Sequence, residues 1–127
     1  LQPKLRLVAY SYAGVEPHLM GIGPVPATKR VLEQAGIGLD DVDLFELNEP
    51  FAAQVLTWCD ELGVAADDPR LNPYGGAIAC GHPLAATGVR LVAQLAYGLR
   101  ERGGRYGLTA LCIGMGMGAA ILWENVQ

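Results

Sequence analysis

The chain has 127 residues, 51% of them hydrophobic and 17% charged, with a formal net charge of −4. That is the size of one domain with a substantial core. The acidic balance with no basic stripe argues against nucleic-acid binding, and the lack of a membrane-length apolar run or cleavable signal pattern predicts a soluble, cytoplasmic protein that enters no membrane. Three cysteines, Cys59, Cys80 and Cys112, in such a chain predict free thiols rather than disulfides. The first residue is Leu1, not Met, and it runs straight into a strand pattern, so the chain reads as a piece of something longer.

Leu5 to Ala13 is rich in β-formers, with Leu5, Leu7 and Ala9 on one face, and predicts a strand. Gly14 to Pro26, punctuated by glycines and prolines, predicts an irregular loop. Ala27 to Ala35 follows helical spacing and ends at Gly36. Asp40, Asp41 and Asp43 read as a solvated turn leading into a short strand, Leu44 to Leu47. Asn48 then ends that strand, and Glu49 to Leu62 predicts a helix with Phe51, Val55, Trp58, Cys59 and Leu62 as its apolar stripe. Leu71 to Pro73 is at most a strand stub. Leu84 to Arg102 is the longest predicted helix, with Val89, Val92, Ala93, Ala96 and Leu99 on one side and Gly103-Gly104 as its stop. Tyr106 to Ile113 and Ala119 to Asn125 read as strands joined in an antiparallel hairpin. The order β-α-β-α-β-α-β-β predicts an α/β fold. Its sheet is mixed and mostly parallel, with one antiparallel edge strand and helices on both faces.

Three stretches carry the chemistry. In GGAIACGHPLAATGVR, Gly75 to Arg90, His82 precedes Pro83 at the predicted start of the long helix. Proline suits the first helical position, and the partial positive charge there favours a neutral imidazole able to accept a proton. The plain alternative is a satisfied loop histidine. In NEPF, Asn48 to Phe51, the amide of Asn48 suits holding water or polarising a carbonyl, or simply caps the helix, and Glu49 is either a base or a first-turn acid. In CIGMGMG, Cys112 to Gly118, a thiol at a strand end meets glycines such as Gly114 whose N–H groups suit an oxyanion, unless Cys112 is a buried hairpin cysteine. Cys80 and His82 have no further pair to complete a zinc site, so no metal is expected.

Taken in that order, NEPF, GGAIACGHPLAATG and CIGMGMG, with MGIGPVPA at Met20 to Ala27, resemble the C-terminal signatures of the thiolases along essentially the whole chain. Those enzymes cleave 3-ketoacyl-CoA with CoA or run the reverse Claisen condensation. The resemblance implies a thiolase-like half. It makes His82 the group that activates a nucleophilic cysteine and helps form one oxyanion hole. Asn48 becomes the orienter of a water in that hole, Cys112 the acid and base at the α-carbon, and Gly114 an N–H donor of the second hole. Met20 and Phe51 would line the acyl pocket. CoA and 3-ketoacyl-CoA would be substrates with no separate cofactor, in fatty acid β-oxidation or lipid metabolism.

The chain departs from the family pattern at Pro50 and Met115, and at Ala85 where glycine is usual, which bears on acyl preference. The nucleophilic cysteine of thiolases lies in their N-terminal half, and neither Cys59 nor Cys80 matches it. The expectation is therefore a C-terminal thiolase domain over residues 1–127, completed by an N-terminal half or self-associated as a homo-oligomer. The alternative is a non-catalytic thiolase-like module for association or acyl-CoA binding. An apolar face of the Leu84 to Arg102 helix left open would favour either kind of association.

Overall fold

A computed structural model describes residues 1–127. The first strand, β1, is Leu5–Gly14. The segment after it is more regular than expected. A 3-10 stretch covers Pro17–Ile22, and helix α1 starts at Pro24 and runs to Ala35. Proline at a first helical position lacks only an N–H that would have had no partner, so Pro24 opens the helix instead of blocking it.

Strand β2, Leu44–Leu47, is buried along its whole length. Helix α2 is Ala52–Leu62; it begins at Ala52, not at Glu49, because Phe51 is extended with φ −148° and ψ 140°. Phe51 therefore falls outside the predicted apolar stripe and is 59% exposed. The expected stub at Leu71 is a single parallel bridge to Phe45. A single helical turn, α3 (Ala77–Cys80), precedes α4 (Leu84–Arg102), and strands β3 (Tyr106–Gly114) and β4 (Met117–Asn125) close the chain. The β3–β4 turn is Met115 and Gly116, at φ 50° and 80°. Two positive φ angles give the turn that matches strand twist, at a cost of about 1–2 kcal/mol for a methionine in the first place.

The sheet runs β1-β4-β3-β2; β4 is antiparallel to both neighbours and only β2 and β3 pair in parallel. The sheet is mixed, as expected, but mainly antiparallel by pairing, and β4 is an interior strand, not an edge. β1, β2 and β3 do run in one direction. The chain carries β2 to the far edge, and the short hairpin turn forces β4 back through the gap between β3 and β1.

Helices cover both faces. On one, α1 and α2 close over Val31, Phe45, Trp58, Leu108 and Leu122. On the other, α4 packs Leu95 and Leu99 against Leu44. Its buried face is Leu91, Leu95, Ala96 and Leu99, while Val89, assigned to that face from spacing, is 72% exposed. The reason is that α4 packs mainly on β2 and β3 and only touches β4. Leu95 fills the space over Gly107, and Gly98 admits Leu44 and Tyr74, where a Cβ would meet their side chains at 2.7 and 2.8 Å. The outer face of β1 and β4 stays open, so Val89, Val92 and Tyr97 line an apolar groove of about 770 Å³ with Ile121 and Trp123. No helix is long and apolar enough to cross a membrane.

Candidate active site

The site forms where β2 and β3, the one parallel pair, end together. Leu47 pairs with Ala110, and the Asn48 N–H donates to the Ala110 carbonyl at 2.9 Å. Two residues further along β3, the register slips between Cys112 and Gly114, an irregularity that turns the strand end. The α3–α4 connection brings His82 to the same end. Pro83 is the residue flanking α4 (φ −80°, ψ 68°), not its first helical residue, so His82 stands one place further from the helix than spacing suggested. Its Nδ1 lies 2.7 Å from the hydroxyl of Thr87, a fully buried residue. With the proton on Nδ1, the ring donates to Thr87 and Nε2 keeps a free lone pair.

Met20, Phe51, His82, Cys112 and Gly114 line one cleft of about 390 Å³, together with Pro50, Leu84 and Ile113. These residues come from separate segments of the chain and meet in this cleft. Asn48 does not join the lining. It is fully buried, and its amide oxygen and nitrogen both lack a hydrogen-bond partner. It is not the cap of α2, since that place belongs to Phe51. A buried orphan amide next to the cleft is the kind of exception that calls for an explanation.

The shell beneath the cleft was not singled out from sequence. Asn72, at φ 43°, accepts from Leu47 N–H at 2.8 Å and donates to Leu47 O at 2.9 Å, acting as a side-chain strand beside β2. Its amide also donates to Glu49 at 2.7 Å, and Ile78 N–H donates to the same carboxylate at 3.1 Å. Glu49 ties β2 to α3 and is not a first-turn acid, since α2 begins at Ala52. A Cβ at Gly76 would push the Glu49 carboxylate out of this place. Glu46, fully buried on β2, has its carboxyl pushed up to about 7 by burial, partly countered by Arg90 and reinforced by Glu49. The only signal for it in the sequence was a lone acid inside an apolar strand.

Cys59 lies in the core, where burial and then Asp68 push its thiol up. Cys80 is exposed on α3 and lies outside the cleft lining. No group of three or more His, Cys, Asp or Glu side chains gathers into a metal-binding cluster.

An imidazole with one nitrogen anchored, a thiol at a strand end and a glycine turn around an apolar cleft make an acid/base site suited to carbonyl chemistry. The chain belongs to the thiolase family: the model of the thiolase C-terminal domain matches residues 1–125. It is 55% identical over 126 residues to the 3-oxoadipyl-CoA/3-oxo-5,6-dehydrosuberyl-CoA thiolase of Escherichia coli, covering 99% of this chain and 31% of that protein. It is 48% identical over 126 residues to the beta-ketoadipyl-CoA thiolase of Acinetobacter baylyi, again covering 99% of this chain and 31% of that one. The crystal structure of the Bacillus anthracis acetyl-CoA acetyltransferase superposes with a TM-score of 0.94 at 43% identity, over 99% of this chain and 32% of that one. The chain therefore spans about a third of the length of the relatives it matches.

Proposed function

We propose that this chain supplies the acid/base and oxyanion-stabilising half of a thiolase site, for cleavage of a 3-ketoacyl-CoA by CoA or the reverse condensation. The observation that carries this reading is the convergence of His82, Cys112 and Gly114 on one cleft with Met20 and Phe51. Removing a proton α to a thioester is difficult, and the enolate that forms needs donors placed where charge develops. Cys112 takes that proton in condensation and returns it in thiolysis. His82 activates the acyl-carrying cysteine contributed by an N-terminal half and, with Asn48 and a water, stabilises the thioester oxyanion. The Gly114 N–H serves the second oxyanion. CoA and acyl-CoA enter as substrates.

The names of the relatives bear on which 3-ketoacyl-CoA. Several are beta-ketoadipyl-CoA or 3-oxoadipyl-CoA thiolases, and another is an acetyl-CoA acetyltransferase. A short acyl chain ending in a carboxylate is favoured over the long fatty acyl chains of β-oxidation.

The test is thiolysis by the chain combined with an N-terminal thiolase half. His82→Ala and Cys112→Ala are each expected to lower kcat by about 10²–10⁴-fold, the range for losing a general acid/base. Full activity in both variants would sink the assignment. A second reading, a non-catalytic module for association, is favoured by one feature, the open apolar groove beside α4. Its sign would be a folded chain that binds a thiolase half or itself and supports no turnover.

A further inference from the structure

His82 is the residue the proposed chemistry leans on most, and its position depends on little. Gly81 before it sits at φ 85°, a conformation that leaves the loop a glycine hinge. The Gly81 carbonyl accepts one side-chain hydrogen bond, from Arg90 Nη1 at 2.8 Å. The remaining guanidinium atoms, Nε and Nη2, are buried without a partner. Glu46 is fully buried on β2, the strand α4 packs against, and both its carboxylate oxygens also lack a partner. Burial favours the neutral form of the Glu46 carboxyl, an effect that Arg90 counters in part, so Glu46 is a neighbour of Arg90 and not its ion-pair partner.

We propose that Arg90 is a positioning residue for His82. The guanidinium holds the Gly81 carbonyl, and Gly81 sets where the imidazole stands relative to Thr87 and the cleft. Arg90 does not line the cleft, so it acts through His82 and not on substrate. The inference rests on His82 being the working imidazole of the proposed thiolase site.

The chain contains two histidines, and His18, 72% exposed in its side chain and remote in sequence, is an internal reference for His82. Ring-nitrogen NMR shifts report the tautomer of each. In the Arg90→Met chain, the His82 shifts are expected to move toward the averaged pattern of a free imidazole, with His18 and the far-UV CD spectrum unchanged. Arg90→Lys, which keeps the charge and a donor for the Gly81 carbonyl, should retain most of the parent pattern. In the chain combined with an N-terminal half, Arg90→Met should lower kcat by about 10²-fold, the effect of a small misplacement of a catalytic group, with KM little changed. Parent-like His82 shifts in folded Arg90→Met, or a change in KM alone, would overturn the proposal. Should Arg90→Met not fold, parent-like His82 shifts in folded Arg90→Gln, whose shorter neutral side chain falls short of the Gly81 carbonyl, would overturn it. If the parent chain shows no turnover with any N-terminal half, the thiolase reading fails, and the ring shifts still decide the role of Arg90.

Discussion

The buried acid on β2 makes a stability prediction with a definite sign. Glu46 is fully buried, and desolvation is the largest influence on it, lifting its carboxyl from 4.5 to about 7. The folded state therefore holds a proton that the unfolded chain gives up. Stability is fully present below about pH 4.5 and is lost as the pH rises through about 7, after which the loss levels off. The rise corresponds to about 3 kcal/mol. Glu46→Gln removes the titration, and because neither carboxylate oxygen has a hydrogen-bond partner, the amide gives up no bond. Urea unfolding of the parent and Glu46→Gln chains from pH 4 to 9 is the assay, since every other titrating group cancels in the difference. The two should be similar near pH 4.5, and the variant should gain about 3 kcal/mol by pH 8, or about 1–3 M in urea midpoint. A flat difference would mean that Glu46 titrates as an ordinary carboxyl. A parent chain gaining on the variant as pH rises would mean that the Arg90 charge outweighs burial. Either result refutes the argument.

Two further substitutions test the packing around the site. A Cβ on Gly118 would overlap the backbone of Gly23 and Pro24, where the start of α1 touches β4, so Gly118→Ala should cost about 3 kcal/mol in thermal or urea unfolding. Gly88→Ala is its control, because a Cβ there meets nothing within 4 Å and a helix-interior glycine gains about 1 kcal/mol on becoming alanine; equal effects would refute the close-approach argument. Val89, 72% exposed in the apolar groove, is the place to test association. Val89→Glu should lower the apparent mass of the chain in sedimentation, or weaken its capture of an N-terminal thiolase half, without altering its CD spectrum, and unchanged association would show that the groove is not the contact.

Much of this molecule is legible in its residues, and the failures share a cause. Gly36 and Gly103 end α1 and α4 as read, both with positive φ, because a helix stop is a local matter of one residue's conformation. The direction of β1, β2 and β3 was also readable, since helical crossovers return the chain the same way. Their order was not: nothing local in Met117–Asn125 says that β4 lies between β3 and β1. The same limit governs α4, where residues of helical spacing are offered on two adjacent faces and the width of the sheet beneath decides which is covered. The named groups of the site, His82, Cys112 and Gly114, carried short-range signals in glycines and prolines. Of the groups behind them, Thr87 and Arg90 lie close in sequence to the atoms they bond, within the His82 stretch, whereas Asn72 reaches Leu47 across 25 residues, which no local pattern records.

The layout of the sheet explains why the site and the open groove adjoin. Only at the β2–β3 pair do neighbouring strands end on the same edge, so Asn48 and Cys112 are delivered there together. The helix that must cover those strands, α4, has to start at that edge and run back across them, which puts His82 at the cleft and fixes which strands α4 covers. Covering mainly β2 and β3 leaves much of β4 and β1 open on that face, with only Leu5 and Trp123 packed against the α4 cluster. Leu84, the first residue of α4, lines the cleft, and Ala85, the next, lines the groove. A body seated in the groove must therefore also stand at the rim of the cleft. A groove left open beside an acid/base cleft is what a domain presents when its sheet is only half covered, and a partner that buried Val89, Tyr97 and Trp123 would, by the same contact, wall off the chemistry from water.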